Sequence, residues 1–174
     1  MCLGSGWFKR EYEAYGIPWD EDHDERIKRE REAILLMKTL WADTVTNFDG
    51  RFYKIKDAIM EPKPLQKPHP PVWIGGRSPK SKELIAELAN GWLMFGREPE
   101  EIRQNIDSMN EMIGDEHRYY AVALERVSTD HPDECITVIQ EYVNTGANLL
   151  NLPFYSIESI TWFANEVLPS FKKS

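Results

Sequence analysis

The sequence predicts an α/β fold built on a parallel sheet, and three observations carry that prediction. From residue 70 onward, short apolar runs and amphipathic stretches alternate four times, strand then helix. Alternation of this kind sets strands in parallel with right-handed helical crossovers. The amphipathic stretches carry a single apolar stripe, as Ile102, Ile106, Met109 and Ile113 do. The apolar run Val72-Trp73-Ile74 ends in Gly75-Gly76, and Ser78-Pro79 opens a helix directly after it. Periodicity alone leaves open whether the sheet is open or closed. A full eight-fold barrel takes roughly 250 residues, and this chain has 174.

The elements follow in order. Cys2-Leu3 reads as the end of a strand, and Gly4-Ser5-Gly6-Trp7 as its exit loop. Phe8 to Tyr15 is an amphipathic helix stopped by Gly16 and Pro18. The run Asp20 to Glu25 is a solvated acidic face or a helix start, not a metal site. Arg26 to Trp41 is a helix with Ile34, Met37 and Trp41 on one face. Asn47 to Tyr53 reads as a hairpin, with Asp49-Gly50 suited to a tight turn. Pro62, Pro64, Pro68, Pro70 and Pro71 mark an extended surface connector and not a domain boundary, so residues 1–174 are expected to form a single domain.

Lys80 to Ala89 is a helix with Leu84, Ile85 and Leu88 inward, and Gly91 is its expected left-handed stop. Trp92 to Phe95 is a short buried strand, and Glu100 to Ile113 a helix. Tyr119 to Val127 is a strand, Asp133 to Asn144 a helix, and Asn148 to Pro153 a strand. Ser156 to Leu168 is the last helix, with Ile157, Ile160, Ala164 and Val167 inward.

Composition narrows the function classes. Hydrophobic residues make up 41% and charged residues 29%, as in a soluble globular protein with a real core. The net charge of −8 argues against nucleic acid or an anionic membrane as the main partner, though not against one anionic ligand held by local donors. No apolar run is long enough to span a bilayer. Cys2 and Cys135 form no redox motif, and a reducing cytoplasm is the simplest compartment. His23, His69, His117 and His131 are scattered, so no metal is expected.

The Gly75-Gly76-Arg77-Ser78 turn is the best candidate for ligand chemistry. Ser78 suits the N-cap and Pro79 the first helical position. A helix start of this kind presents N–H groups and the positive end of the helix dipole, which suit a phosphate. An ordinary strand-to-helix turn is the alternative, and these residues alone leave both open. Most tryptophans are explained as core, with Trp7 and Trp92 the better site candidates because each follows a glycine at a strand end or start. Glu11 is placed on a helix surface, and His69, among prolines, is expected to be exposed. No residue pair reads as a catalytic dyad.

Four segments together resemble the bacterial-luciferase-like flavin monooxygenases and their deazaflavin-dependent reductase relatives. They are Leu3 to Trp7 with Glu11-Tyr12, Phe48 to Tyr53 before the proline-rich connector, Pro70 to Gly76, and Ala89-Asn90-Gly91-Trp92. The family more often has Asp in place of Asn90. Phe163 to Pro169 also looks like the family's final helix.

The resemblance implies part of a (β/α)8 TIM barrel, roughly its second half, with a hairpin insertion and the flavin at the C-terminal strand ends. It implies that Gly75, Gly76, Arg77, Ser78 and Ser81 hold the phosphate of FMN or a deazaflavin coenzyme. Gly4, Gly6 and Trp7 match the loop beside the flavin, and Gly91 and Trp92 a second position near the phosphate. The implied activity is oxidation or reduction of a small organic substrate, as a monooxygenase or a deazaflavin-dependent reductase. The flavin carries the redox chemistry and the protein binds and orients. The family's first three and a half strand–helix units have no counterpart in this sequence. The expectation is therefore a partner that completes the barrel, either a second copy or a companion chain. The alternative is a non-catalytic remnant that binds a flavin or phosphate, or only oligomerises.

Overall fold

In the computed structural model, which describes residues 1–96, 98–114, 116, 118–125 and 131–171, the chain divides into two compact units, 1–91 and 92–174.

The first unit contains β1 (Cys2–Leu3), α1 (Lys9–Ala14), α2 (His23–Ala42), β2 (Thr46–Asp49), β3 (Lys54–Ala58), β4 (Trp73–Gly75) and α3 (Pro79–Leu88). β1 and β4 pair in parallel, Cys2 opposite Trp73 and Leu3 opposite Ile74. β2 and β3 form a separate antiparallel hairpin. The acidic run supplies the start of α2: the Asp22 carboxylate accepts from the Asp24 N–H, and Asp24 and Glu25 sit in the first turn, where the helix dipole favours negative charge. Ile27 and Ile34 of α2 and Leu84 and Ile85 of α3 are buried with Val72 and Ile74.

β5 (Gly91–Phe95) begins on the last residue of that unit. The second unit continues with α4 (Pro99–Ile113), β6 (Tyr119–Ala123), α5 (Pro132–Val143), β7 (Leu149–Asn151) and α6 (Ile157–Trp162). Its strand order is β5-β6-β7. β6 and β7 pair in parallel, with Ala121 opposite Leu149 and Ala123 opposite Asn151. The helical strand connections and parallel pairs give the α/β class that the alternation predicts. The end of the expected strand at Val127, and His117, lie outside the described residues.

Asparagines brace both units in the same way. The Asn90 Oδ1 accepts from the Val72 N–H at 2.9 Å, and its own N–H donates to the Val72 carbonyl at 2.7 Å. Asn148 repeats this against Tyr120, with both bonds at 2.8 Å. Each asparagine immediately precedes a strand and fixes where that strand starts.

Four expectations need correction. Asp49-Gly50 is not a tight two-residue turn. Asp49 pairs with Lys54, and a four-residue loop closes between them with the Gly50 N–H donating to the Tyr53 carbonyl at 2.9 Å. Gly91 is no left-handed stop, because α3 already ends at Ala89 in extended backbone. Gly91 instead opens β5 against the Trp73 ring, which a Cβ there would meet at 2.5 Å.

The last helix does not keep its register. After Trp162 it widens into a π-helical turn over Phe163–Val167 and then tightens into a 3-10 turn to Phe171. A π-turn holds extra residues, so a 3.6-residue stripe drawn through it fails. Val167 is buried, but Ile157 is 78% and Ile160 51% exposed, and Trp162 and Phe163 pack on Cys135 and Ile139 in their place. His69 is half-buried and not exposed. Its ring lies 5.9 Å from that of Trp41, and its Nδ1 is 2.9 Å from the Pro70 carbonyl.

Candidate functional site

The turn from β4 into α3 has the order that its residues predict. Ser78 is the N-cap, its Oγ accepting from the Ser81 N–H at 3.1 Å, and Pro79 is the first helical residue. The two serine hydroxyls lie 2.9 Å apart. One hydroxyl proton is spent between them, so the pair keeps one for an acceptor beyond the turn. Ser81 is buried, and Ser78 and Gly76 are half-buried.

Gly76 is required twice over. Its φ of +154° lies outside the range of most side chains, and a Cβ there would stand 2.6 Å from the Ser81 Cβ. The turn therefore holds its backbone directly over the serine pair. Such a cradle suits a phosphate oxygen, with the Lys80 N–H lacking a carbonyl partner within α3 by helix geometry. Arg77 is exposed beside it.

The parallel pairing of β1 and β4 carries the exit loop of β1 to the same strand ends. A Cβ on Gly4 would lie 3.8 Å from the Gly75 carbonyl oxygen. Gly6, at φ +79°, packs under the Tyr12 phenol. Trp7 is 88% exposed, its ring stacked on Phe8 at 5.4 Å. Gly4, Gly75, Gly76, Ser78 and Ser81 thus belong to one neighbourhood. Gly91 serves packing against Trp73. Trp92, in the second unit, is only 1% exposed and belongs to the core. Glu11 is on the surface, as expected.

Two glutamates of α2 escaped the sequence reading. Glu32 accepts three backbone N–H groups of the hairpin loop, from Arg51 at 3.0 Å and from Phe52 and Tyr53 at 2.7 Å each. Desolvation opposes its ionisation, but these three bonds outweigh it and lower its pKa. Glu30 lines a cavity of about 160 Å³ with Leu3, Gly4, Ser5, Arg26 and Arg29. Burial pushes the Glu30 carboxyl up to about 7. An amphipathic pattern marks both residues as polar positions of a helix, and nothing local distinguishes them from their solvated neighbours. Among the described residues no cluster of three or more His, Cys, Asp or Glu side chains could hold a metal ion, and no helix is long and apolar enough to cross a membrane.

Similarity to known proteins extends over most of the chain. The FMNH2-dependent dimethylsulfone monooxygenase of Pseudomonas putida is 38% identical over 105 residues, covering 60% of this chain and 29% of the relative. The F420-dependent glucose-6-phosphate dehydrogenase of Microbacterium testaceum is 35% identical over 86 residues, covering 49% of this chain and 25% of the relative. The chain therefore spans a minor part of the length of these curated relatives. Among solved structures, the monooxygenase RslO1 from Streptomyces bottropensis superposes with a TM-score of 0.80 at 17% identity, covering 98% of this chain and 68% of that one. An F420-dependent secondary alcohol dehydrogenase gives 0.79 at 16% identity, covering 99% and 69%. These structural likenesses show the fold. The family model described as luciferase-like monooxygenase matches residues 1–155, and the chain belongs to that family.

Proposed function

We propose that this chain contributes the phosphate-binding part of a flavin- or deazaflavin-dependent oxidoreductase site. The observation that carries the proposal is the cradle formed by Gly76 over the Ser78–Ser81 hydroxyl pair, with Gly4 alongside at the end of β1. The residues fit a phosphate-bearing coenzyme. A hydroxyl proton and the α3 dipole face the turn, and a side chain at position 76 would fill it. The printed activities of the FMNH2- and F420-dependent relatives support the same reading.

When bound, FMN or the deazaflavin coenzyme supplies the redox chemistry. The chain's own residues bind and orient. The Ser78–Ser81 pair donates its one remaining hydroxyl proton to the phosphate, Arg77 adds charge at the rim, and exposed Trp7 offers an aromatic face at the β1 loop. Trp92 takes no part by contact. The substrate is a small organic molecule, oxidised or reduced in a cytoplasmic enzyme. Residues 1–174 act as one part of a (β/α)8 barrel, and a second copy or a companion chain covers its exposed apolar surface. Exposed Trp7, Phe8, Tyr15 and Ile17 around α1 support such a covering partner.

Titration of the purified protein with FMN, riboflavin and the deazaflavin coenzyme tests the assignment. The phosphate-bearing forms are expected to bind at least about tenfold tighter than riboflavin, and a Ser78→Ala/Ser81→Ala double variant to lose that margin. Equal affinity of the unaltered protein for FMN and riboflavin would contradict it. Absence of binding by every flavin would leave the chain a structural subunit. A stable, well-folded monomer on size-exclusion chromatography would remove the covering partner.

A further inference from the structure

We propose that the Asn90-Gly91 pair is a self-modification site. When its hydrogen bonds to Val72 open, the Gly91 nitrogen attacks the Asn90 side-chain amide. The products are aspartate and isoaspartate at position 90, and only aspartate restores the closed arrangement.

Packing dictates both members of the pair. The Asn90 Oδ1 accepts from the Val72 N–H at 2.9 Å, and the Asn90 N–H donates to the Val72 carbonyl at 2.7 Å. A short side chain with an acceptor is therefore needed at position 90. A Cβ at position 91 would stand 2.5 Å from the Trp73 ring, so no side chain fits there. The fold thus sets the least hindered backbone nitrogen directly after a side-chain amide. It is the one Asn-Gly pair in the 174 residues. Asn90 is exposed, so water and base reach it.

The chemistry balances without an oxidant or reductant. The Gly91 nitrogen forms a bond to the Asn90 Cγ, the Cγ–Nδ2 bond breaks, and ammonia leaves with the proton of the Gly91 nitrogen. The resulting cyclic imide takes up one water. Opening at Cγ gives aspartate in an ordinary main chain. Opening at the main-chain carbonyl carbon of residue 90 puts the side-chain methylene into the backbone, as isoaspartate.

The closed structure ties the nucleophile down. The Gly91 N–H donates to the Val72 carbonyl at 3.2 Å while the Asn90 Oδ1 stays on the Val72 N–H. Attack requires the Gly91 nitrogen to give up its proton and turn onto Cγ, which breaks these bonds. The reaction therefore runs through local opening, and its rate follows the free energy of that opening. Asn148 is an internal control. It is exposed and makes the same two bonds to Tyr120, both at 2.8 Å, but Leu149 follows it and shields the nitrogen.

The two products differ in what they rebuild. Aspartate keeps the acceptor and makes a charge-assisted bond to the Val72 N–H. That gain offsets a negative charge just past the C-terminal end of α3. Isoaspartate adds a backbone atom between α3 and β5, so the N–H groups of residues 90 and 91 no longer both meet the Val72 carbonyl.

Peptide mapping by mass spectrometry, after incubation at pH 8 with and without urea, tests the proposal. In urea Asn90 is expected to convert at least about tenfold faster than Asn148. In the folded protein conversion at Asn90 is expected to slow by at least about a hundredfold. Asn90→Asp is expected to melt with the parent. Isoaspartate-bearing protein, recovered from the urea incubation by ion exchange and refolded, is expected to melt lower or fail to refold. Equal rates at Asn90 with and without urea would overturn the protection by Val72, and equal rates at Asn90 and Asn148 in urea would overturn the site. An isoaspartate form that melts with the parent would overturn the difference between products. No coenzyme enters the assay, so its outcome is separate from the flavin titration.

Discussion

The Oγ atoms of Ser78 and Ser81 lie 2.9 Å apart, with the α-carbon of Gly76 packed over Ser81. Cap, buried hydroxyl and cradle are therefore one unit, and substitutions there separate stability from binding. Gly76→Ala would place a Cβ 2.6 Å from the Ser81 Cβ at a positive φ, so it should cost about 2 kcal/mol or more. Ser78→Ala removes the N-cap acceptor and should cost about 1 kcal/mol, whereas Ser78→Gly should cost a few tenths, roughly 0.3 kcal/mol. Chemical denaturation followed by circular dichroism checks the order. A Gly76→Ala variant as stable as the parent would show that the turn is looser than this geometry.

Glu32 reaches across to the hairpin and accepts the N–H groups of Arg51, Phe52 and Tyr53. Its pKa is lowered on folding. A lowered carboxyl stabilises the fold above its unfolded value, near 4.3, and loses that contribution as pH falls through the folded value. Glu32→Ala should therefore speed amide exchange at residues 51–53 at pH 7, and its excess over the parent should shrink as pH falls below the usual carboxylate range. Hydrogen-exchange mass spectrometry of the hairpin peptide measures this. Equal protection in the variant and the parent at pH 7 would contradict it.

What the sequence revealed and what it hid divide along range. Ser78, Pro79 and the Gly75-Gly76 pair speak for themselves, because capping and turn chemistry act within four residues. The stripe of α4 was equally readable, and Ile102, Ile106 and Met109 are buried as its period requires. The hairpin loop departs from the local expectation because its shape is fixed by Glu32, about twenty residues away, and not by Asp49-Gly50. Gly91 departs from it because Trp73, eighteen residues earlier, sets its role. The family resemblance rests on local motifs and was visible. The desolvation of Glu30 depends on packing and was not.

The π-helical turn after Trp162 gives a contrast within one segment. Val167 is fully buried beside Cys135 and Ile139, whereas Ile157 is 78% exposed. Val167→Ala removes buried methyl groups and should cost roughly 2 kcal/mol. Ile157→Ala should change stability by less than about 0.5 kcal/mol. Thermal melts of the two variants compare them directly. A larger loss at Ile157 would mean that the helix keeps an uninterrupted 3.6-residue register.

Glu30 links the fold to pH in the opposite sense from Glu32. Its folded pKa is raised from 4.5 to about 7 by desolvation, so between those values the folded state holds a proton that the unfolded state has released. Stability from this group is therefore greatest below about pH 4.5, falls as pH rises towards 7, and is flat above. A shift of that size corresponds to about 3 kcal/mol at full extent. Glu30→Gln removes the ionisation, so it should raise the unfolding free energy at pH 8 by an amount of that order and change it little at pH 4.5. Denaturant titrations of parent and variant at both pH values isolate the effect, because every other carboxylate contributes equally to the two proteins. An equal stability difference at the two pH values would show that Glu30 titrates as an exposed carboxylate, and would place its side chain outside the cavity.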